Sequence, residues 1–406
     1  MARYIFFNFP AYGHVNPTLA IIEELIARGE EVVYYLPERF RRTIEAMGAT
    51  FHPYQSMLFT RERGQSEPPV SPANGDQRIA MLPVMMIQES LKVIPQLLES
   101  VRAEQADCLI YDSMFLWGRI VARTLHIPAV ALRPSYAANQ QSNVFGSYAQ
   151  RFQLSPGRME ILNNTLAQLS ARYDVPPFDI SSILMHTEPL KIVFLPRAFQ
   201  PGGETFDERY LFVGPSFQPH RDAHDDFPVE QLGTQPLLYI SLGTVFNNQI
   251  DFYRTCFTAF DDTEWQVVLS MGPDIDRAAL PTIPGNFIVA PRVPQLDVLS
   301  RANLFISHGG MNSVMESLSY GVPLVVIPQI SEQAVTAQRV QELGLGIALD
   351  REMVTAERLR EAVAQVVRDP SFRTHAQAMQ QAIHEAGGYQ RATNAIMQFV
   401  HTHVQA

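Results

Sequence analysis

Cysteine, clustered positive charge and long apolar runs are scarce in this chain of 406 residues. Its two cysteines, Cys108 and Cys256, are far apart in apolar surroundings, which argues against a disulfide framework and a zinc site. The 31 Lys and Arg residues form no block and are outnumbered by 41 Asp and Glu, for a formal net charge of −10. Nucleic acid and anionic membrane surfaces are therefore not expected as partners.

Segments that would direct the chain to or through a membrane are also missing. There is no run of about 18 apolar residues, and the N-terminus lacks the apolar segment and cleavage site of a signal peptide. These absences predict a cytoplasmic protein without a membrane partner, and we expect a monomer or weak dimer. Hydrophobic residues make up 46% of the chain, enough for two domain cores of roughly 200 residues each.

Short apolar runs alternate regularly with helical patterns, which is typical of a parallel sheet covered by helices. In the first half the predicted strands are Tyr4–Phe7, Glu31–Leu36, Asp107–Tyr111, Ala129–Leu132, Lys191–Leu195 and Tyr210–Val213. After an interruption the pattern resumes with Leu237–Ile240, Gln266–Leu269, Phe287–Val289, Leu304–Ile306 and Leu324–Ile327. The pattern predicts an α/β protein with two doubly wound units in tandem.

The interruption sets the predicted domain bounds. Residues 1–214 form an N-terminal domain, 215–235 a linker and 236–388 a C-terminal domain. Residues 140–179 are polar with a helical pattern. Residues 62–76 are rich in Pro, Gly and Ser, and they are either a lid over a ligand crevice or a disordered loop.

The segment FPAYGHVNP places His14 directly after the first predicted strand. Asn16 is a good N-cap and Pro17 a good first helical residue, so a helix is expected to start there. His14 would then lie in a turn at the carboxyl end of the strand, where ligands bind in open α/β sheets. On this stretch alone a structural loop histidine is the better interpretation. The segment has no G-x-G-x-x-G, which disfavours an NAD-dependent dehydrogenase.

The second half contains SHGGMNSVMESLSYGVPLVVIPQISEQ at 307–333. Gly309 and Gly310 permit a tight turn before a helix from Met311, and a helix N-terminus with bare glycines binds anions. His308 and Ser313 add donors beside it.

This stretch resembles the nucleotide-sugar signature of the UDP-dependent glycosyltransferases. The resemblance includes PRVPQLDVL at 291–299, SLGTVFN at 241–247, FPAYGHVNP and the YDS at 111–113, and it is closest to the bacterial macrolide glycosyltransferases. It implies a GT-B fold, with two Rossmann-like domains facing each other across a cleft. The N-terminal domain would bind the acceptor and the C-terminal domain the donor, and the last helix, about 389–406, would return to the N-terminal domain.

The resemblance also implies a set of donor contacts. They are Ser241, Gly243, Thr244, His308, Gly310 and Ser313 for the diphosphate; Glu316 for the ribose, with Asn312 on the same helical face; Glu332 and Gln333 for the sugar hydroxyls; and Val293 and Gln295 for the uracil. Arg292 stands where many relatives have an aromatic ring. Its guanidinium can stack on a base, but its charge can alter the nucleotide preference, so another nucleotide than UDP stays open.

For His14 the resemblance implies the role of general base in an inverting transfer to an acceptor hydroxyl. An imidazole pKa of about 6.5 suits this task. Asp112 ends another predicted strand and would orient the imidazole, as in the Ser-His-Asp logic. The alternative for Asp112 is a carboxylate that caps the following helix.

No metal or other cofactor is expected, because the helix dipole, the glycine amides and His308 would stabilise the leaving diphosphate. Asp274 and Asp276 fit an Asp-x-Asp metal pattern, and residues 225–226 and 261–262 are further acidic pairs. We interpret these pairs as solvated.

The expected donor sugar is a hexose, glucose first, and the expected acceptor is an apolar hydroxylated natural product of flavonoid, phenolic or macrolide type. Candidate acceptor-site residues, each of which could equally belong to the core, are Met57, Phe59, Met81, Met85, Met86, Phe115, Trp117 and Phe145. Two alternatives are a UDP-N-acetylglucosamine epimerase on the same fold, which needs no acceptor, and a non-catalytic sugar-nucleotide-binding auxiliary protein.

Overall fold

The computed structural model describes residues 1–56, 58, 72–142, 144, 156–177, 188–217, 227–244, 247–272 and 275–404. The chain divides into two compact units. The first is built mainly from residues 1–65, 77–217 and 386–406, and the second mainly from residues 218–385.

Each unit contains one sheet in which all paired strands are parallel. The strands of the first unit are β1 Arg3–Phe7, β2 Glu31–Leu36, β3 Thr50–Pro53, β4 Cys108–Asp112, β5 Ala129–Arg133, β6 Leu190–Val193 and β7 Tyr210–Phe212. Those of the second are β8 Leu237–Ser241, β9 Gln266–Ser270, β10 Phe287–Ala290, β11 Leu304–Ser307, β12 Leu324–Val326 and β13 Gly346–Ala348.

Helices connect the strands. They are α1 Tyr12–Ala27, α2 Arg41–Glu45, α3 Pro72–Glu104, α4 Leu116–Leu125, α5 Pro156–Tyr173, α6 Ile250–Phe260, α7 Gln295–Leu299, α8 Met311–Ser319, α9 Ser331–Glu342, α10 Ala356–Arg368, α11 Pro370–Ala386 and α12 Gly388–Val404. Short 3₁₀ turns lie at Glu38–Phe40, Gly203–Thr205, Val229–Gln231, Arg277–Ala279 and Arg351–Met353.

The first sheet has the strand order β3-β2-β1-β4-β5-β6-β7, which contains the order of a Rossmann fold. Its central strands are buried on both faces: Ile5 and Phe7 of β1 point into one core, and Tyr4 and Phe6 into the other. Such strands are apolar throughout because helices cover both faces of the sheet.

Helix α12 belongs to the first unit and packs against α1. Ile396 and Val400 of α12 share a core with Leu19 and Leu25 of α1. The C-terminal helix therefore contributes to the unit that contains the N-terminus.

The second sheet has the order β10-β9-β8-β11-β12-β13, which is again the Rossmann order. Strands β8 and β11 are central neighbours, and their last residues, Ser241 and Ser307, are register partners. The carboxyl ends of these two strands therefore lie side by side. The prediction of two doubly wound α/β domains is confirmed.

The structure differs from the sequence predictions at several points. Strands β3 and β13 were not predicted, and both are short strands at sheet edges. Helix α3 begins at Pro72, so residues 72–76 of the predicted loop 62–76 are helical, and residues 62–71 lie outside the described residues. In the described part of the chain, no helix is both long and apolar enough to cross a membrane.

Candidate active site

His14 lies inside the first turn of α1, not in a turn before it. The helix begins at Tyr12, and the backbone N–H groups of His14 and Val15 donate to the Ala11 carbonyl at 2.9 and 3.0 Å. The prediction that Asn16 caps the helix and Pro17 opens it was wrong, because the chain has already closed helical hydrogen bonds before it reaches either residue.

Asn8, which follows β1, ties this first turn to the strand. Its side chain is fully buried, and Nδ2 donates to the His14 carbonyl at 2.8 Å. The ring of Phe9 lies 4.8 Å from the imidazole, centroid to centroid. Backbone and ring of His14 are thus both held by residues at the end of β1.

Asp112 is the last residue of β4, the strand beside β1, and the register pairs Phe7 with Tyr111. Its Oδ2 lies 2.5 Å from His14 Nδ1, and its Oδ1 accepts from the Met114 N–H at 2.8 Å. Asp112 thus contacts His14 and also holds the turn before α4, but it does not cap that helix, whose N-cap is Phe115. The carboxylate is fully buried and the imidazole is 21% exposed. Since Nδ1 donates to the carboxylate, Nε2 is the basic nitrogen of His14.

In the second unit, the turns after β8 and β11 have the same local design. Gly243, with φ +77°, donates its N–H to Ser241 Oγ at 3.2 Å, and Gly309, with φ +83°, donates to Ser307 Oγ at 3.2 Å. The positive φ values are those that favour glycine. As predicted, a helix starts at Met311; its N-cap is Gly310, whose lack of a side chain leaves the first N–H groups of α8 uncapped by that residue.

The imidazole of His308 lies between these turns. A Cβ atom on Gly243 would come within 2.5 Å of His308 Cε1, and one on Gly310 would overlap Nε2. Burial lowers the pKa of His308 to about 4, and a hydrogen bond with the Ser241 backbone raises this pKa by a smaller amount. Its Nδ1 is buried without a hydrogen-bond partner among the described residues. At neutral pH His308 is therefore an uncharged donor beside a helix N-terminus.

Gln295, the first residue of α7, joins the predicted ribose and diphosphate residues. Its Nε2 donates to a carboxylate oxygen of Glu316 and lies 3.4 Å from Ser313 Oγ. Its Oε1 accepts from the hydroxyl of Tyr239 at 3.0 Å. Sequence reasoning missed Tyr239, because a tyrosine inside the apolar run LLYIS is read as core.

Gln333, in the first turn of α9, uses its amide oxygen within the protein. Oε1 accepts from the Gln329 N–H at 2.8 Å, and Nε2 is the donor of the Gln333 amide. The Gln329 carbonyl accepts from Arg351 Nη1 at 3.0 Å. The neighbouring Glu332 is exposed.

The remaining predicted donor residues differ in exposure. Thr244 and Arg292 are exposed, and no hydrogen bond or ion pair of Arg292 is found among the described residues. Val293 is buried, and Asn312 is partly buried in the first turn of α8.

The acidic pairs and the apolar acceptor-site candidates from the sequence have the following positions in the structure. Asp276 caps the 3₁₀ turn Arg277–Ala279 by accepting from the Ala278 N–H at 2.9 Å. The acidic pair at residues 261–262 is exposed. Asp274 and residues 225–226 lie outside the described residues. Of the apolar acceptor candidates, Met86, Phe115 and Trp117 are buried in the core of the first unit, and Met85 is 41% exposed. Met81 is partly exposed, and Met57, Phe59 and Phe145 lie outside the described residues.

Known proteins similar to this chain cover its whole length. A family model described as "Erythromycin biosynthesis protein CIII-like, C-terminal domain" matches residues 257–387. The NDP-glycosyltransferase YjiC of Bacillus licheniformis is 41% identical over 396 residues, covering 97% of this chain and 96% of its own. The uncharacterized UDP-glucosyltransferase YojK of Bacillus subtilis is 33% identical over 411 residues, covering 100% and 99%. The crystal structure of the calicheamicin glycosyltransferase CalG4 superposes with a TM-score of 0.84 at 31% identity, covering 99% of each chain.

Proposed function

Because this chain belongs to the bacterial macrolide-type glycosyltransferases of GT-B fold, which take nucleotide-sugar donors and small-molecule acceptors, we propose that it transfers glucose from UDP to a hydroxyl of an apolar natural product, with inversion. The observation that carries this mechanism is the 2.5 Å contact between His14 Nδ1 and the buried carboxylate of Asp112.

His14 is the general base of the proposed reaction. The acceptor oxygen bonds to the anomeric carbon while the bond from that carbon to the diphosphate oxygen breaks, and its electron pair leaves with UDP. The hydroxyl proton goes to Nε2 of His14. Asp112 keeps Nδ1 protonated and stabilises the imidazolium that forms, since the carboxylate is already in contact with that nitrogen.

The diphosphate lies, in this proposal, at the turns after β8 and β11. His308, the Gly310 N-cap and the first N–H groups of α8 converge there, and the helix dipole favours a group whose negative charge increases as the glycosidic bond breaks. We propose that these groups suffice without a metal ion. A transfer reaction that stops with EDTA and resumes with Mg²⁺ would contradict this part.

The proposed donor and acceptor preferences are supported by the names of similar proteins and by Arg292. UDP and glucose are favoured by the name of one relative, YojK, whereas the name of YjiC leaves the nucleotide open. The exposed guanidinium of Arg292 is available to stack on the base. For the acceptor, the similarity to the calicheamicin glycosyltransferase supports a natural product rather than a polymer.

The deciding experiment measures UDP release from UDP-glucose with a panel of phenolic and macrolide acceptors, for wild type and His14→Ala. We expect release to need both an acceptor and His14, while the dissociation constant for UDP stays unchanged. Phenols ionise more readily than alcohols, with pKa values near 10, so residual activity of the variant should favour phenols.

His52→Ala is the matched control, because His52 Nε2 also pairs with a carboxylate in the same unit, 3.0 Å from Glu104 Oε1. This control should keep full activity. Alcohol transfer that survives in His14→Ala, or equal losses of UDP affinity and rate, would contradict the base assignment.

A further inference from the structure

We propose that Tyr239 is a positioning residue for nucleotide binding: through Gln295 it holds Glu316 in place for the ribose. This inference rests on the proposed nucleotide site and adds a residue that neither the sequence motifs nor the comparisons assign to it.

The ring of Tyr239 is rigidly held. It lies on the central strand β8, is 1% exposed, and stacks on its register partner Phe305 with centroids 4.6 Å apart and planes at 15°. Packing therefore fixes the hydroxyl at one point, 3.0 Å from Gln295 Oε1. A tyrosine has only two side-chain torsions, so little conformational entropy is lost when its hydroxyl is held against a partner.

This hydroxyl sets which way the Gln295 amide faces. With the oxygen toward the Tyr239 proton, the NH₂ group faces the Glu316 carboxylate and Ser313 Oγ, and each group meets a complementary partner. The reversed amide would bring its oxygen against a carboxylate oxygen. Tyr239 and Glu316 thus stabilise the same orientation from the two ends of one side chain.

The consequence for a bound nucleotide lies at Glu316. A carboxylate that accepts from an amide NH₂ stays in one rotamer and keeps acceptor capacity for ribose hydroxyls, which can donate to it. Without the Tyr239 hydroxyl, Gln295 Oε1 loses its partner and the side chain gains freedom to rotate, so ordering Glu316 would cost free energy at the moment of binding.

The test compares two ligands in the intact protein. Tyr239→Phe should weaken UDP binding roughly three- to ten-fold, the usual effect of losing one hydrogen bond, and leave binding of 2′,3′-dideoxyuridine diphosphate unchanged. In a Gln295→Ala background the same substitution should have no further effect on UDP. Tyr35→Phe is the control, since it removes another strand tyrosine's hydroxyl, bonded to Ser100 Oγ at 2.7 Å in the first unit. It should leave both dissociation constants unchanged.

Three results would overturn the inference: unchanged UDP affinity in Tyr239→Phe, equal weakening of both ligands, or additive effects with Gln295→Ala. A wild-type protein that binds no UDP would instead refute the proposed nucleotide site itself, so the two failures are distinguishable. Thermal melts of each variant separate a loss of fold from a loss of affinity.

Discussion

Replacing Gly310 by alanine tests whether the imidazole of His308 needs the space that this glycine leaves. The backbone at Gly310 has φ −62° and ψ 135°, which alanine adopts without strain. The added Cβ would instead overlap His308 Nε2, so the main effect of the substitution is on the ring. We expect the ring to move away from the N-terminus of α8.

The magnitude follows from two separate costs. Overfilling a packed site costs about 1–3 kcal/mol, and alanine at an N-cap costs up to about 1 kcal/mol relative to glycine. In Gly243→Ala the added Cβ overlaps the same ring from the other turn, and φ +77° adds about 1–2 kcal/mol of backbone strain, more than the N-cap cost at Gly310. Gly243→Ala should therefore be the more destabilising of the two.

The assay is denaturant unfolding together with the dissociation constant for UDP. Gly310→Ala should lower the free energy of unfolding by about 2–3 kcal/mol and weaken UDP binding about ten-fold, as for a lost hydrogen bond to a charged group. Gly157→Ala is the control: this glycine lies in α5 of the first unit, and a Cβ there meets nothing within 4 Å. Its effect should lie between zero and a gain of about 1 kcal/mol.

Removing the ring provides the refutation. In a His308→Ala background the Cβ that Gly310→Ala adds has no imidazole to overlap, so only the small N-cap cost should remain. If the destabilisation by Gly310→Ala is as large in that background as in wild type, the space at Gly310 does not serve His308. Unchanged UDP affinity in the single variant would exclude the ring from the nucleotide site.

Two further predictions concern Asn8 and the titration of His308. Asn8→Ala removes the donor to the His14 carbonyl, 2.8 Å away. It should lower kcat about ten-fold, equivalent to roughly 1.4 kcal/mol, while UDP affinity, measured by calorimetry, stays at the wild-type value. A variant with wild-type kcat would show that this hydrogen bond does not position the base. Folding lowers the pKa of His308 from 6.5 to about 4, so the unfolded chain binds the proton more tightly than the folded protein. The free energy of unfolding should therefore fall by at most about 3 kcal/mol as the pH drops from 6.5 to about 4. His308→Asn should remove that part of the slope in pH-dependent unfolding, and an unaltered slope would contradict the pKa shift.

The parallel strands could be predicted within one or two residues because both of their faces are buried, which produces short uninterrupted apolar runs such as EVVYYL in β2. The strands that were missed, β3 and β13, lie at sheet edges, and their sequences TFHP and GIA carry no such run. The start of α1 was misplaced because Asn16 and Pro17 are strong local signals, whereas the helix begins at Tyr12, and Asn8 and Asp112 contact its first turn.

In the candidate site, the polar residues at strand ends could be predicted from the sequence, but the hydrogen bonds that hold them in place could not. The pairing of His14 with Asp112 follows from two strand ends at one sheet edge, so it could be anticipated. The roles of Asn8, Tyr239 and Arg351 depend on hydrogen bonds between residues distant in sequence, for which the sequence has no local signature. Gln333 shows the same limit, because its amide oxygen is committed to the Gln329 backbone.

The packing of α12 on α1 has a consequence for biosynthesis. The core of the first unit includes Ile396 and Phe399, so it cannot be completed until α12 has been translated. Residues 218–385, which supply the second unit's sheet, leave the ribosome before α12 does. Domains usually fold in the order of their synthesis, N-terminal first. Here the strands of the first unit's sheet are translated first, but the apolar face of α1 that α12 covers stays open until α12 is made, after the second unit's residues.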